Sequence, residues 1–171
     1  MKRMNVRLLT QLAMLIAMQF VLSKFMSISA DNLRIGFGFI PMAVCGALYG
    51  PWITMLAYIV ADILGGLIIF GNVNPFITVS YAVVGFGYGL FLHRPGAKLF
   101  PHAICAATVS MLCSALITTW ALSIMQMTSF WVQLGIRTPQ IILNYAFELV
   151  LIPMLLPLAL KLKKHGLALE L

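Results

Sequence analysis

The stretch NLRIGFGFIPMAVCGALYGPW, residues 32–52, decides how many times this chain can cross a membrane. Arg34 stands just before an apolar run over residues 36–49, which ends at Gly50-Pro51. A helix needs roughly 20 apolar residues to span a bilayer, and this run is shorter. It is either a short separate helix or the first half of a broken helix that continues over residues 52–70. The two alternatives predict opposite orientations for everything that follows.

The composition indicates an integral membrane protein. Of the 171 residues, 62% are hydrophobic and 9% are charged, and the mean hydropathy is +1.02. In soluble domains about a quarter of the residues are charged, so this chain has too few polar groups to cover a water-exposed surface. The net charge of +7 could suggest a nucleic-acid partner. The basic residues lie at the ends of apolar segments, however, which is typical of membrane topology.

The distribution of Lys and Arg favours six crossings. The apolar runs cover residues 6–26, 36–49, 52–70, 76–92, 100–127 and 139–162. With six crossings and a cytoplasmic N-terminus, the inside carries Lys2, Arg3, Arg7, Arg94, Lys98, Lys161, Lys163 and Lys164, and the outside carries Lys24, Arg34 and Arg137. Five crossings would move the basic segments 93–98 and 161–165 outside, against the positive-inside rule. We therefore expect one transmembrane domain over residues 1–171, an all-α six-helix bundle with both termini cytoplasmic.

The sequence lacks the motifs of an enzyme. It contains no G-x-x-x-x-G-K-[ST] loop for nucleotides, no cluster with metal-ligand spacing and no paired carboxylates on one helix face. The histidines lie at segment ends, and the cysteines lie inside apolar runs, where we expect them to pack as small apolar side chains. We expect no enzymatic activity, no metal and no cofactor. Energy for uphill transport must then come from a partner protein or an ion gradient.

Two acidic residues, Asp62 and Glu148, fall inside predicted spans. An ionisable group within a bilayer is costly, so each side chain should face the bundle interior, a partner or water. Each carboxylate could accept hydrogen bonds from a ligand. Each could equally belong to a structural ion pair or an amide network within the bundle, and the sequence leaves both readings open.

The predicted outer half collects cations, amides and aromatic rings. An arginine fork matches the two oxygens of a carboxylate, and aromatic rings suit a flat heterocycle. The alternatives are interfacial anchoring for the tryptophans and lipid-phosphate contact for the arginines. The candidates from this half are Lys24, Arg34, Asn74, Trp120, Arg137, Asn144 and Tyr145.

Small residues recur at a spacing of four on three predicted helices. The pairs are Ala13 and Ala17, Ala57 and Ala61, and Gly85 and Gly89. This spacing lets two helices approach closely. The default interpretation is packing within the bundle, and the alternative is a docking face for another membrane protein.

The whole pattern resembles a known transporter family. The stretches LRIGFGFIPMAVCGALYGPW, ADILGGLIIF, TTW at 118–120 and IRTPQIILNYAFELVLIP carry the resemblance, together with six helices and the A-x-x-x-A motif. They are similar to the substrate-binding S component of energy-coupling factor (ECF) transporters, in its folate branch. The stretch NPFITVSYAVVGFGYG departs from the pattern expected at the start of the fourth helix.

The resemblance implies a mechanism and partners. The S component would capture a vitamin outside a prokaryotic plasma membrane and associate with a transmembrane coupling subunit and two ATPase subunits. Ala13 and Ala17 would meet the coupling subunit, and ATP would be bound by the partners alone. Other S components, for pantothenate, pyrimidine or queuosine precursors, share this scaffold. A stand-alone secondary transporter is a further alternative, although no inverted repeat supports it.

A folate ligand would distribute its groups over the candidate residues. The dianionic glutamate tail would meet Arg34 at the outer rim, with Arg137 and Lys24 as further candidates. Either Phe37 or Phe39 would supply an apolar wall, because only one of them can face a cavity in a regular conformation. The pterin edge would be read by three side chains deeper in the bundle, namely Asp62, Asn144 and Glu148.

Overall fold

The computed structural model describes residues 6–24, 28–30, 33–71, 73–93 and 99–164. Its elements are α1 (Val6–Lys24), β1 (Ile28–Ala30), β2 (Leu33–Ile35), α2 (Phe39–Tyr49), α3 (Pro51–Gly65), a π-helical turn (Gly66–Phe70), α4 (Pro75–Leu92), α5 (Leu99–Cys113), a second π-helical turn (Ser114–Thr118), α6 (Thr119–Met125) and α7 (Phe130–Lys164). Because α5, its π-helical turn and α6 are continuous, the described residues form six helical rods. This arrangement confirms the predicted six-helix class.

The short second helix is separate, and it lies at the centre of the bundle. Helix α2 has 11 residues and contacts α1, α3, α4 and α7. Its Met42 and Cys45 are fully buried. Four other stretches are long and apolar enough to cross a membrane, namely Pro51–Ile68, Pro75–Leu92, Phe100–Met125 and Phe130–Pro157. Of the two alternatives for residues 36–49, the structure therefore has the short separate helix, and its neighbours bury it.

A tight turn joins α2 to α3. Gly50 has a φ of 83°, a left-handed conformation that favours glycine, and Pro51 occupies the first turn of α3. Helix α4 crosses this turn at very short range, since a Cβ added to Gly89 would lie 2.2 Å from the Cα of Pro51. The absence of a side chain at Gly89 thus permits the contact between α4 and the turn.

The small-residue pairs divide into two groups. On α3, Ala57 and Ala61 are buried, and on α4 a Cβ at Gly85 would lie 3.0 Å from the carbonyl oxygen of Thr54. These pairs pack within the bundle, as the default interpretation predicts. On α1, by contrast, Ala13 and Ala17 are exposed on the outside of the bundle.

Two predicted features of the fold need correction. Helix α7 begins at Phe130 rather than at residue 139, so Arg137 lies inside a helix and is 7% exposed, not in an outer segment. The apolar run that begins at Pro139 predicts a helix start there, but helices of membrane proteins tolerate internal proline where neighbouring groups satisfy the freed carbonyl. The structure also contains a short antiparallel hairpin, β1–β2, which the sequence did not predict within the helical bundle. Strands of three residues are too short to show an alternating pattern.

The cysteines follow the prediction in part. Cys45 and Cys113 are buried in the apolar core. Cys105 lies on the exposed surface of α5 instead, because the face of α5 that packs inward carries the buried residues Ala103, Ala106 and Ala107.

Candidate functional site

A cavity of about 210 Å³ lies in the half of the bundle opposite Val6 and Lys164. The later parts of α1, α3 and α5 and the early parts of α2, α4 and α7 surround it. The lining residues are Gln19, Ser23, Gly36, Gly38, Phe39, Tyr58, Ala61, Asp62, Gly65, Ser80, Tyr81, Val84, Ser110, Met111, Ser114, Thr118, Arg137, Gln140, Ile141, Asn144, Tyr145 and Glu148. Under the predicted topology, this half faces the outside.

Helix α7 contributes a single polar stripe. Arg137, Gln140, Asn144 and Glu148 follow one another at spacings of three or four and therefore share one face. The separation of Arg137 and Glu148 corresponds to a rise of about 16 Å along the helix axis. One helix face thus supplies a cation near one end of the cavity and a carboxylate near the other, which suits an elongated ligand.

Arg137 is buried among neutral partners. Its Nη1 donates to Thr119 Oγ1 at 3.0 Å and to the carbonyl oxygen of Ser114 at 3.5 Å. Both of the partners described for this guanidinium are neutral. A buried charge without a counter-charge is costly, so the site favours an anion from outside the chain.

Glu148 and two amides present unsatisfied acceptors. Ser110 Oγ donates to Glu148 Oε1 at 2.9 Å. Within the described part of the chain, Glu148 Oε2, Asn144 Oδ1 and Gln19 Oε1 are buried without a hydrogen-bond partner. Buried polar atoms are nearly always paired in native proteins. The buried hydroxyl of Tyr88 is also without a partner there, and it lies beside Glu148 as a donor from within the chain. Asn144 and Gln19, which have no such neighbour described, indicate a ligand with N–H or O–H donors.

The second acidic residue, Asp62, has a partner on α4. Its Oδ2 accepts a hydrogen bond of 2.6 Å from Thr78 Oγ1, and the residue also lines the cavity. The position of Asp62 therefore fits both interpretations, a structural role and a contact with a ligand. It joins α3 to α4 within the bundle, and it presents a carboxylate to whatever occupies the cavity.

Aromatic rings form part of the wall. The rings of Tyr58 and Tyr81 stack with centroids 5.2 Å apart and an interplanar angle of 13°. Phe39 lines the cavity, whereas Phe37 packs edge-on against Phe147 at 5.6 Å. Of the two phenylalanines, Phe39 is therefore the one that faces the cavity in the described structure. The stacked tyrosines were not predicted.

Two of the candidates, Asn74 and Trp120, lie away from this cavity in the described structure. Asn74 caps α4 by accepting from the backbone N–H of Phe76 at 2.9 Å, and Trp120 is 47% exposed with its ring edge-on to Phe76. Neither side chain lines the cavity. The side chains of Lys24 and Arg34 lie outside the described part of the chain; the backbone of Arg34 pairs with Ser29 in the hairpin.

Several neutral polar residues of the cavity were missed. They are Gln19, Ser23, Ser80, Ser110, Ser114 and Thr118. Each is a polar residue inside an otherwise apolar run, and such residues tend to face the interior of a membrane bundle. A signal for these positions is therefore present in the sequence.

Comparisons with known proteins agree with the architecture. The family model of the ECF-type riboflavin transporter S component matches residues 3–164. A folate transporter, FolT, from Clostridium novyi (strain NT) is 31% identical over 127 residues, which cover 73% of this chain and 72% of that protein. A crystal structure of FolT bound with folic acid superposes with a TM-score of 0.74 at 23% identity, covering 94% of this chain and 95% of that one, and thus shares its fold. The chain therefore belongs to the S components of ECF-type transporters, a family of multi-pass membrane proteins, as its sequence motifs predicted.

Proposed function

We propose that this chain is the high-affinity vitamin-binding subunit of an ECF importer and that its vitamin is folate. The observation that carries the proposal is the composition of the cavity. One helix face presents a buried Arg137 whose described partners are neutral and a Glu148 with a carboxylate oxygen that makes no hydrogen bond in the described part of the chain. A ligand for this cavity needs hydrogen-bond donors at one end and negative charge at the other.

Folate meets both requirements. The amino group and the neighbouring ring N–H of its pterin are adjacent donors, which match the two oxygens of a carboxylate such as Glu148. Its two aromatic systems suit the wall formed by Phe39 and the stacked Tyr58 and Tyr81. Its glutamate tail carries two carboxylates, which suit Arg137.

The relatives support this ligand to different degrees. The FolT relative is named as a folate transporter, whereas the matching family model is named for riboflavin. The ring N–H of riboflavin is flanked by two carbonyl oxygens, which would face the carboxylates of Asp62 and Glu148. Riboflavin also has no anionic group for Arg137. The charges of the cavity therefore favour folate, and riboflavin is the second candidate.

The size of the cavity suggests how folate is placed. Sites for drug-sized ligands typically measure about 300–1,000 Å³, and this cavity is smaller. The pterin would occupy the deep part beside Glu148, and the tail would extend past Arg137 towards the hairpin. Arg34 and Lys24 remain candidates for the outermost tail carboxylate.

The exposed alanines of α1 support a docking role. Ala13 and Ala17 leave a shallow surface on which another transmembrane helix can approach closely. We infer that the transmembrane coupling subunit packs here and that two ATPase subunits supply the energy. On this proposal the chain acts as a single domain in a prokaryotic plasma membrane, with no enzymatic activity and no cofactor of its own.

The test is to identify what the purified protein holds. We expect native mass spectrometry of protein purified without added vitamin to detect bound folate. Titration should then give much tighter binding of folate than of riboflavin or pantothenate, without any ion gradient. Retention of riboflavin in place of folate would overturn the choice of ligand. Uptake into vesicles that lack the ATPase subunits would instead indicate a secondary transporter.

A further inference from the structure

The π-helical turn of α5 brings a second threonine behind the cavity wall. Thr118 lines the cavity, whereas the next residue, Thr119, is fully buried and lies outside the lining. Both belong to the TTW segment. Because Thr119 cannot contact a ligand in the cavity directly, a role for it must act through another residue.

The hydrogen bonds of Thr119 have a fixed direction. An arginine can only donate, so the Thr119 hydroxyl must accept from Arg137 Nη1 at 3.0 Å. The hydroxyl proton then points to the carbonyl oxygen of Ser114, which accepts it at 3.0 Å. The resulting chain runs from the guanidinium through Thr119 to the backbone of the π-helical turn.

The turn itself is held from the other side of the cavity. Ser80 on α4 lies 2.9 Å from Thr118 Oγ1, hydroxyl to hydroxyl, and donates to the carbonyl oxygen of Cys113 at 3.4 Å. The wide turn and its neighbours thus anchor Thr119 between α4 and α7. π-Helical turns often occur at functional sites, and this one immediately precedes Thr119, whose hydroxyl holds the cation.

Arg137 keeps donors for a ligand in this arrangement. The guanidinium has five N–H groups, and the hydrogen bonds described for it involve Nη1 alone. Holding one corner of the planar group reduces the rotamer freedom that a ligand would otherwise have to restrict on binding. With Nη1 held in place, the remaining N–H groups of Arg137 are pre-organised to bind an anion.

Building on the proposed folate function, we propose that Thr119 is the positioning residue that holds Arg137 for the anionic end of the ligand. Through this contact, Thr119 sets the preference of the cavity for an anionic ligand over a neutral one. It does not touch the ligand itself.

The first test compares folate with its dimethyl ester, in which both glutamate carboxylates are uncharged. The variant Thr119→Val keeps the shape of the side chain and removes the acceptor, and Thr119→Ser retains it. Thr138→Val is the matched control, because the hydroxyl of the exposed Thr138 bonds only its own helix, at Leu134. We expect Thr119→Val to weaken folate about tenfold while the ester changes less than about twofold. Thr119→Ser and Thr138→Val should retain the preference of the wild type.

A second measurement does not depend on the ligand. In protein labelled with ¹⁵N-arginine, the Nη–H signals of Arg137 should be resolved in the wild type and in Thr119→Ser, and averaged by rotation in Thr119→Val. Unchanged signals in Thr119→Val, or equal weakening of folate and ester, would overturn the positioning role. A wild type that binds no folate would instead refute the proposed function, and the arginine signals would then decide the role of Thr119.

Discussion

Ser110 on α5 donates a 2.9 Å hydrogen bond to one oxygen of Glu148 on α7, while the other oxygen of that carboxylate lies beside the buried Tyr88 hydroxyl and makes no short hydrogen bond among the described residues. The Ser110 hydroxyl thus holds Glu148 from one side and leaves it available from the other. This relationship makes the carboxylate a suitable acceptor for the donor edge of a bound heterocycle.

The first prediction concerns this carboxylate. Glu148→Gln should weaken folate about tenfold or more, because the amide would place N–H donors opposite the donors of the pterin. Ser110 can still donate to the amide oxygen, so the thermal stability of the ligand-free protein should change little. Titration and thermal unfolding of the same samples provide the measurement. Parallel loss of affinity and stability would mean that Glu148 is structural.

A second prediction separates affinity from stability at Arg137. Replacing it by Met should weaken folate roughly ten- to a hundredfold, because a charge-assisted hydrogen bond contributes about 1.5–3 kcal/mol. The ligand-free protein should unfold at the same temperature or a higher one, since an uncompensated buried charge is removed. Arg137→Lys should keep only part of the affinity, because lysine lacks the planar fork. A large drop in unfolding temperature for the Met variant would contradict this interpretation.

The third prediction tests Arg34 with a shorter ligand. Arg34→Ala should weaken folate roughly ten- to a hundredfold if its guanidinium meets the glutamate tail. Pteroate, which lacks the glutamate, should bind the wild type and Arg34→Ala about equally. Loss of both ligands by the same factor would indicate that Arg34 shapes the pocket or anchors the chain at the lipid interface.

The fourth prediction concerns docking. Ala13→Trp or Ala17→Trp should abolish ATP-dependent uptake in vesicles containing the complete transporter, while folate binding stays near normal. A bulky ring on this exposed face would prevent close approach of another helix. Ala61→Trp is the control, because Ala61 is buried and the ring should disrupt the bundle. If the α1 variants also lose binding, the alanines pack the bundle itself.

A fifth prediction tests the contact between α4 and the α2–α3 turn. Gly89→Ala should destabilise the protein by about 1–3 kcal/mol, because the new Cβ would overlap Pro51. Gly135→Ala offers a matched control in helix α7, since nothing lies within 4 Å of a Cβ at that position. That change should stabilise the protein by roughly 0.5–1 kcal/mol through helix propensity. Thermal unfolding in detergent would compare the two, and equal effects would refute the close contact.

The polar stripe of α7 shows which features of the site the sequence alone could predict. Arg137, Asn144 and Glu148 were recognised as candidates, and their spacing already predicts one helix face. The predicted start of the helix at Pro139 is wrong, because α7 begins at Phe130. A proline signals a break in an isolated helix, but a packed membrane helix can carry it without ending.

The alanine motifs show that a local sequence pattern cannot predict which helix face is buried. Ala13 with Ala17 and Ala57 with Ala61 have the same spacing, yet the first pair is exposed and the second is buried. Spacing determines that two residues share a face. Which face is covered depends on the helices that pack against it, and those lie far away in the chain.

Hydropathy and the positions of the basic residues were sufficient to predict a six-helix membrane bundle, because a bilayer requires long apolar segments whatever their neighbours are. Tertiary packing determined which residues line the cavity. Ser110 reaches Glu148, and Thr119 reaches Arg137, across gaps between helices. Asn74 and Trp120, which looked equally suitable in sequence, lie outside the cavity. Only the way the helices pack determines which polar side chains meet, since each contact joins residues that no local pattern connects.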